Sequence, residues 1–173
     1  MNSLDIGCGG SSRFPQHTVR GDVNCDICKP KRKIPNFVLC DAHYLPFRDT
    51  AFKKVYMYDL IEHLDSPLQA LKEARRVLKI GGELELGTPN ALYLPKILRS
   101  MIRRYYHPHE DHIQTWGLPE LRALLFRAGF DSLVNYKTYL DSGKSWHYRL
   151  AVEICIFPAL RHKQLHAIAR KKF

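Results

Sequence analysis

A carboxylate in front of a glycine turn, a second at a strand end and a set of imidazoles carry the reactive potential of this chain. Leu4-Asp5-Ile6 runs into Gly7-Cys8-Gly9-Gly10. Glycine permits positive φ and lets a ligand approach bare backbone. A carboxylate before that turn would repel a diphosphate and suits a ligand with a positive end. Asp26 closes the run Val23-Asn24-Cys25-Asp26-Ile27. An acid at that place accepts hydrogen bonds from ribose hydroxyls, with Asp22 as the reserve. His63 follows Glu62, and His107-Pro108-His109-Glu110-Asp111-His112 packs three imidazoles and two carboxylates into six residues. Imidazole titrates near neutrality, so His112 and His63 are candidate general bases; an anchoring role for the loop histidine is equally open. The cluster could hold a metal by composition, but its spacing offers no i, i+4 pair on a helix, and no metal ligand is assigned.

The elements that must position these groups alternate between apolar runs and helical patterns, which implies a parallel sheet with crossover helices. Strands are expected at about Ser3–Ile6, Val19–Asp26, Phe37–Cys40, Lys54–Tyr58, Glu83–Gly87, Ser132–Tyr139 and Tyr148–Phe157. A helix starts at Ser66 as N-cap, with Pro67 at its first position and Gln69 completing a capping box. Its apolar stripe is Leu68, Leu71, Ala74, Val77 and Leu78, and Gly81-Gly82 ends it. Further helices are expected over Leu92–Tyr105 and Leu118–Ala128, and a basic one after Pro158. The gap between the glycine turn and the second strand holds Pro15 and little periodicity, so a full helix is not expected there.

The 173 residues fit one domain, residues 1–173, with one core. No apolar run is long enough for a membrane helix, and no secretory leader pattern is read. The expected location is cytoplasmic, away from membranes. The formal charge of +10 is uneven. Residues 1–90 hold 13 basic and 11 acidic residues, and residues 91–173 hold 14 and 6. A basic second half is compatible with an anionic substrate or nucleic acid, and equally with a solvated surface. Five cysteines, an odd number, argue against a secreted disulfide framework. Cys25-Asp26-Ile27-Cys28 has no second CxxC to complete a zinc site.

Asp5, Gly7, Cys8 and Gly9 resemble the first motif of class I S-adenosylmethionine (SAM)-dependent methyltransferases, of the methyltransferase type 11-like kind. A dinucleotide fingerprint would place a third glycine at position 12, where this chain has Ser12. The resemblance extends to Cys40-Asp41-Ala42-His43-Tyr44-Leu45-Pro46-Phe47, to Tyr58-Asp59-Leu60-Ile61-Glu62-His63-Leu64, to Glu73–Gly82 and to Gly87-Thr88-Pro89-Asn90. It implies a Rossmann-like α/β fold: a mostly parallel seven-stranded sheet with an antiparallel last strand, flanked by helices, here with a reduced N-terminal region. It also implies SAM as cofactor and S-adenosylhomocysteine (SAH) as product. Asp5, Gly7, Cys8 and Gly9 would meet the methionine end, Asp26 and Ile27 the ribose region, and Asp41 and Ala42 the adenine. Tyr58 and Asp59 would lie nearest the transferable methyl. The Asn/Asp-Pro-Pro-aromatic motif of amino methylases is missing at this point, which disfavours methylation of exocyclic base amines. His112, before Trp116, matches a loop that covers the active site in related enzymes.

The expected activity is methyl transfer to an unidentified acceptor, anionic or RNA by the charge argument. The alternative is an RNA-binding protein on a catalytically weak methyltransferase scaffold, with aromatic and basic residues for stacking and phosphate contact. Because the sequence begins at the first strand, the site is expected to be open on one side or closed by a partner subunit, a homodimer being one way to close it, and the oligomeric state stays open.

Overall fold

The computed structural model describes residues 2–9, 19–103, 112–137, 160 and 162–172. The strands are β1 (Ser3–Ile6), β2 (Val23–Asp26), β3 (Phe37–Leu39), β4 (Phe52–Tyr58), β5 (Leu78–Pro89), β6 (Phe130–Lys137) and β7 (Gln164–Lys171). The helices are α1 (Pro67–Val77), α2 (Leu94–Arg103) and α3 (Leu118–Arg127), and a single 3-10 turn covers Ile61–His63. They build one seven-stranded sheet in the order β3-β2-β1-β4-β5-β7-β6. Strands β1 to β5 pair in parallel, and β7 lies antiparallel to both β5 and β6. This is the expected Rossmann-like class I methyltransferase architecture.

Apolar residues on the inner strands explain the pairing. Leu4 sits between Val23 and Val55, and Ile6 between Cys25 and Met57. These residues, with Leu84 and Leu86, are sealed from solvent. Helix α1 lays Ala70, Leu71, Ala74 and Val77 on this core, and α3 adds Leu121 and Leu125. Burying each of the leucine, isoleucine, valine and methionine side chains among them contributes roughly 1.5–3 kcal/mol.

The chain order reverses at β1, whose two neighbours are β2 and β4. In open α/β sheets that switch point leaves a crevice beyond the carboxyl ends of the strands. The glycine turn follows β1, Asp26 ends β2, Asp41 follows β3 and the 3-10 turn follows β4. Topology alone therefore gathers the predicted motifs on one edge.

Several local expectations are corrected. Strand β2 begins at Val23 rather than Val19, because Gly21 is pressed against the backbone of Leu4 and Asp5. Ser66 precedes α1 but its side chain makes no capping bond; Gln69 and Ala70 donate instead to its backbone carbonyl, at 3.0 and 3.3 Å. Helix α1 ends at Val77, and Gly81, at φ +75°, turns the backbone inside β5 at a register shift against β4. Within the expected basic C-terminal helix, Gln164–Lys171 form a strand instead. Leu165, Ala167 and Ala169 alternate into the core as β7 slots between β5 and β6. Small alanines on the buried face made that period of two hard to see. The expected strand at Tyr148–Phe157, the gap at Ser11–His17 where no full helix is expected, and residues His107–Asp111 lie outside the described residues.

Candidate active site at the carboxyl edge of the sheet

A pocket of about 280 Å³ opens at the switch point. Gly7, Asp26, Ile27, Asp41, Ala42, His43, Leu60 and His63 are among its lining residues. Gly7 sits at φ +71°, and a Cβ there would stand 2.9 Å from Leu60 Cδ1. Both the turn and the close approach of Leu60 thus require glycine. Gly9 donates its N–H to Asp26 Oδ2 (2.9 Å), and Cys28 donates to Asp26 Oδ1 (2.9 Å). Asp26 therefore ties the glycine turn to the end of β2, and its oxygens retain lone pairs for a ligand. Ile27 lines the pocket yet is 69% exposed, which leaves an apolar surface for a flat ring.

Asp41 is held by its neighbour. His43 donates its backbone N–H to Asp41 Oδ1 (2.8 Å), and its ring Nδ1 lies 2.6 Å from the same oxygen. The backbone bond, then the imidazole, keep this carboxyl below its usual value.

Asp5 lies deeper. It is buried, accepts the backbone N–H of Arg20 at Oδ2 (3.0 Å), and is not part of the pocket wall. Burial pushes its carboxyl up to about 6, against that N–H and the charge of Arg20. Cys8 is also buried, and burial together with Asp26 and Asp5 raises its thiol to about 12. Cys25 is buried while Cys28 is exposed. Cys25 interacts with Cys40 rather than with its CxxC partner, an interaction that raises the Cys25 thiol and lowers that of Cys40.

After β4 the backbone bends sharply. Asp59 takes φ +47°, donates its N–H to Gly87 O (2.9 Å), and accepts from Gln164 Nε2 (3.2 Å). Such a conformation in a non-glycine residue is held by its surroundings and is concentrated at functional sites. Tyr58 turns onto the sheet. Its hydroxyl bonds to Glu85 and lies 3.0 Å from His166 Nε2, and Arg20 stacks over its ring at 4.0 Å. A Cβ on Gly87 would fall 2.5 Å from that ring. Neither Tyr58 nor Asp59 belongs to the pocket wall.

The 3-10 turn places Glu62 and His63 side by side. Glu62 is buried; Oε2 accepts from Thr88 Oγ1 (3.0 Å) and Oε1 has no hydrogen-bond partner among the described residues. Burial pushes its carboxyl up to about 7. Ile113 and Gln114 donate their N–H groups to Glu62 O (3.0 and 3.2 Å), and Gln114 Nε2 donates to Leu64 O (3.0 Å). These bonds fasten the distant loop to the turn. His112 then meets His63 edge to face, with ring centroids 4.6 Å apart.

The structure thus brings Gly7, Asp26, Ile27, Asp41, Ala42 and His63 onto one pocket, sets His112 beside it, and keeps Asp5, Cys8, Tyr58 and Asp59 behind or beside its wall. Sequence reasoning missed Leu60, His43 and Glu62 as site residues. His43 was signalled by its place two residues after Asp41, and Glu62 by its adjacency to His63.

The family model described as a methyltransferase domain matches residues 4–86. The human protein "Probable tRNA methyltransferase 9B" is 34% identical over 88 residues, covering 46% of this chain and 19% of that protein. The 27-O-demethylrifamycin SV methyltransferase of Amycolatopsis mediterranei is 26% identical over 144 residues, covering 74% of this chain and 53% of that one. The chain thus spans about half or less of the length of these two relatives. A SAM-dependent methyltransferase of Thermotoga maritima superposes with a TM-score of 0.70 at 19% identity, over 99% of this chain and 82% of that one. The methyltransferase-domain match spans the strands that carry the pocket, and the superposition extends the shared fold beyond it, so the chain is similar in sequence and in fold to class I SAM-dependent methyltransferases.

Proposed function

We propose that this chain transfers the methyl group of SAM to an anionic acceptor, with RNA the first class to test. The observation that carries the reading is the pocket itself. One cavity at the switch point is lined by a glycine turn, by the Asp26 carboxylate and by Asp41-Ala42. Asp26 receives the ribose hydroxyls, Asp41 the adenine amino group, and Ile27 packs on the adenine face. Asp5, behind the turn, favours the ligand's cationic end by its charge.

Methyl transfer from a sulfonium needs proximity and alignment more than acid–base help. The acceptor's lone pair forms the new bond to carbon while the C–S bond breaks, and its electron pair goes to sulfur. His63, on the pocket wall, and His112 are the groups placed to meet the acceptor. A nucleic-acid acceptor is supported by the charge of residues 91–173 and by the printed name of the human relative.

Calorimetric titration with SAM, SAH and NAD tests the cofactor reading. Saturable binding of the two adenosyl ligands and none of NAD is the expected result. Binding of NAD alone, or of none of the three, overturns it. RNA binding that persists in a chain with no affinity for SAM or SAH would favour a nucleic-acid-binding protein on this scaffold.

A further inference from the structure

Glu62, His63 and His112 combine features that the pocket does not explain. One ligand atom from each lies within 4.8 Å of the other two. Tetrahedral ligands at about 2.1 Å from a zinc ion stand roughly 3.4 Å apart, so an ion would draw these side chains inward by about 1 Å. The set is two imidazoles and one carboxylate, which catalytic zinc sites use while keeping a further position open for water or substrate. Glu62 supplies an independent observation. It is only 1% exposed, and Oε1 has no hydrogen-bond partner among the described residues. Buried carboxylates are paired or coordinate metals, because leaving one without compensation is costly. The supporting shell is already built. Thr88 orients Glu62 through Oε2, and the two N–H bonds to Glu62 O hold His112 in place. Outer partners of this kind fix ligand orientation.

We propose that Glu62, His63 and His112 form a site for one divalent cation of the Zn²⁺ or Mn²⁺ class, which holds a hydroxyl oxygen of the acceptor beside the methyl donor. Cation binding itself is independent of the methyl-transfer reading; the use made of the cation rests on it. Imidazole and carboxylate together suit these ions, and methyl transfer needs no redox change. His63 lines the pocket, so an ion held there borders the donor. The cation stabilises the deprotonated form of the bound hydroxyl, whose proton leaves to water. That oxygen forms the bond to the methyl carbon as the C–S bond breaks, and neutral SAH remains. The acceptor class is thereby narrowed to oxygen nucleophiles. Both imidazoles then act as ligands, and neither is a general base.

The test is titration of the chelator-treated chain with Co²⁺, followed by its visible absorption, beside SAH titration of the same samples. One equivalent is expected to bind, with the spectrum of nitrogen and oxygen ligands and no thiolate charge-transfer band. His112→Ala and Glu62→Gln should each weaken Co²⁺ binding by about a hundredfold or more, since losing even an outer partner costs roughly 10–100-fold. Their SAH affinity should be unchanged, which shows that the fold survives. No saturable Co²⁺ binding, equal binding by both variants, or a thiolate band overturns the site. Co²⁺ binding that depends on these residues in a chain without SAH affinity keeps the site and overturns the methyl-transfer reading instead.

Discussion

Two stretches of β5 treat a glutamate in opposite ways. At Glu85 the carboxylate is surrounded by donors: Lys54 Nζ at 2.7 Å, His166 Nε2 at 3.1 Å and the Tyr58 hydroxyl. Burial works against its charge, but these bonds outweigh it and hold the carboxyl at about 2. Three residues on, Thr88 offers Glu62 one neutral donor, and burial drives that carboxyl up to about 7. Asp5, also buried, rises to about 6. A carboxylate that serves the fold arrives with its cation. At Asp5 and Glu62 burial outweighs the donors and cations nearby, and a positively charged ligand would favour their ionised forms. Asp26 and Asp41 are a third kind, half-open and anchored by backbone N–H groups.

The largest expected effect breaks the crevice side of this comparison. Asp26→Ala removes the proposed ribose acceptor and the link between the glycine turn and β2. Hydrogen bonds to charged groups contribute about 1.5–3 kcal/mol, so SAH affinity should fall by roughly 3 kcal/mol in calorimetry. Unchanged affinity would mean that Asp26 serves the turn alone.

The next effect falls on the structural side. Glu85 has a folded value of about 2 against an ordinary 4.5. A depressed carboxylate contributes stability that is complete above about 4.5 and is lost as pH falls toward about 2. Urea unfolding of Glu85→Gln against the native chain should show a deficit of about 2 kcal/mol at neutral pH, with solvent screening allowed for. The deficit should shrink as pH drops through that window. A difference independent of pH would mean that Glu85 acts by packing rather than by charge.

Asp5 is shifted in the opposite direction, and its titration bears on ligand affinity instead of stability. Its value is raised to about 6, so the group takes up a proton as pH falls through that point. A cationic ligand favours the ionised form. SAM affinity should therefore fall about tenfold between pH 7 and pH 5, near 1.4 kcal/mol. Asp5→Asn should flatten that slope. A slope that survives the substitution would assign the titration to another group.

The sequence showed the sheet and its motifs because buried parallel strands read as apolar runs, and each motif sits where such a run ends. Asp26, Asp41 and His63, which line the pocket, were legible as candidates for that reason. Strand β7 was not, since its inward residues Ala167 and Ala169 are too small to stand out against Arg170 and Lys171. Tyr58 was placed near the methyl because it ends β4. The side chain of a strand residue points to one face or the other, and Tyr58 pairs its ring with the space above Gly87. The nearness of His112 to His63 had no local signal at all. It depends on backbone bonds from Ile113 and Gln114 to a turn far away in the chain.

The smallest effect separates two contributions within Asp41. Its carboxyl is lowered first by the backbone N–H of His43 and then by the ring. His43→Ala keeps the first bond and removes the second. The Asp41 side chain is 42% exposed, so solvent screens the ring contact and its contribution is at most about 0.5–1 kcal/mol. SAH affinity should fall by no more than that amount, and Asp41→Ala should cost more, because the proposed adenine acceptor itself is lost. Combining the two should add almost nothing to Asp41→Ala, since the imidazole acts on adenine only through the carboxylate. Additive losses would instead place His43, whose ring also lines the pocket, in direct contact with the nucleoside.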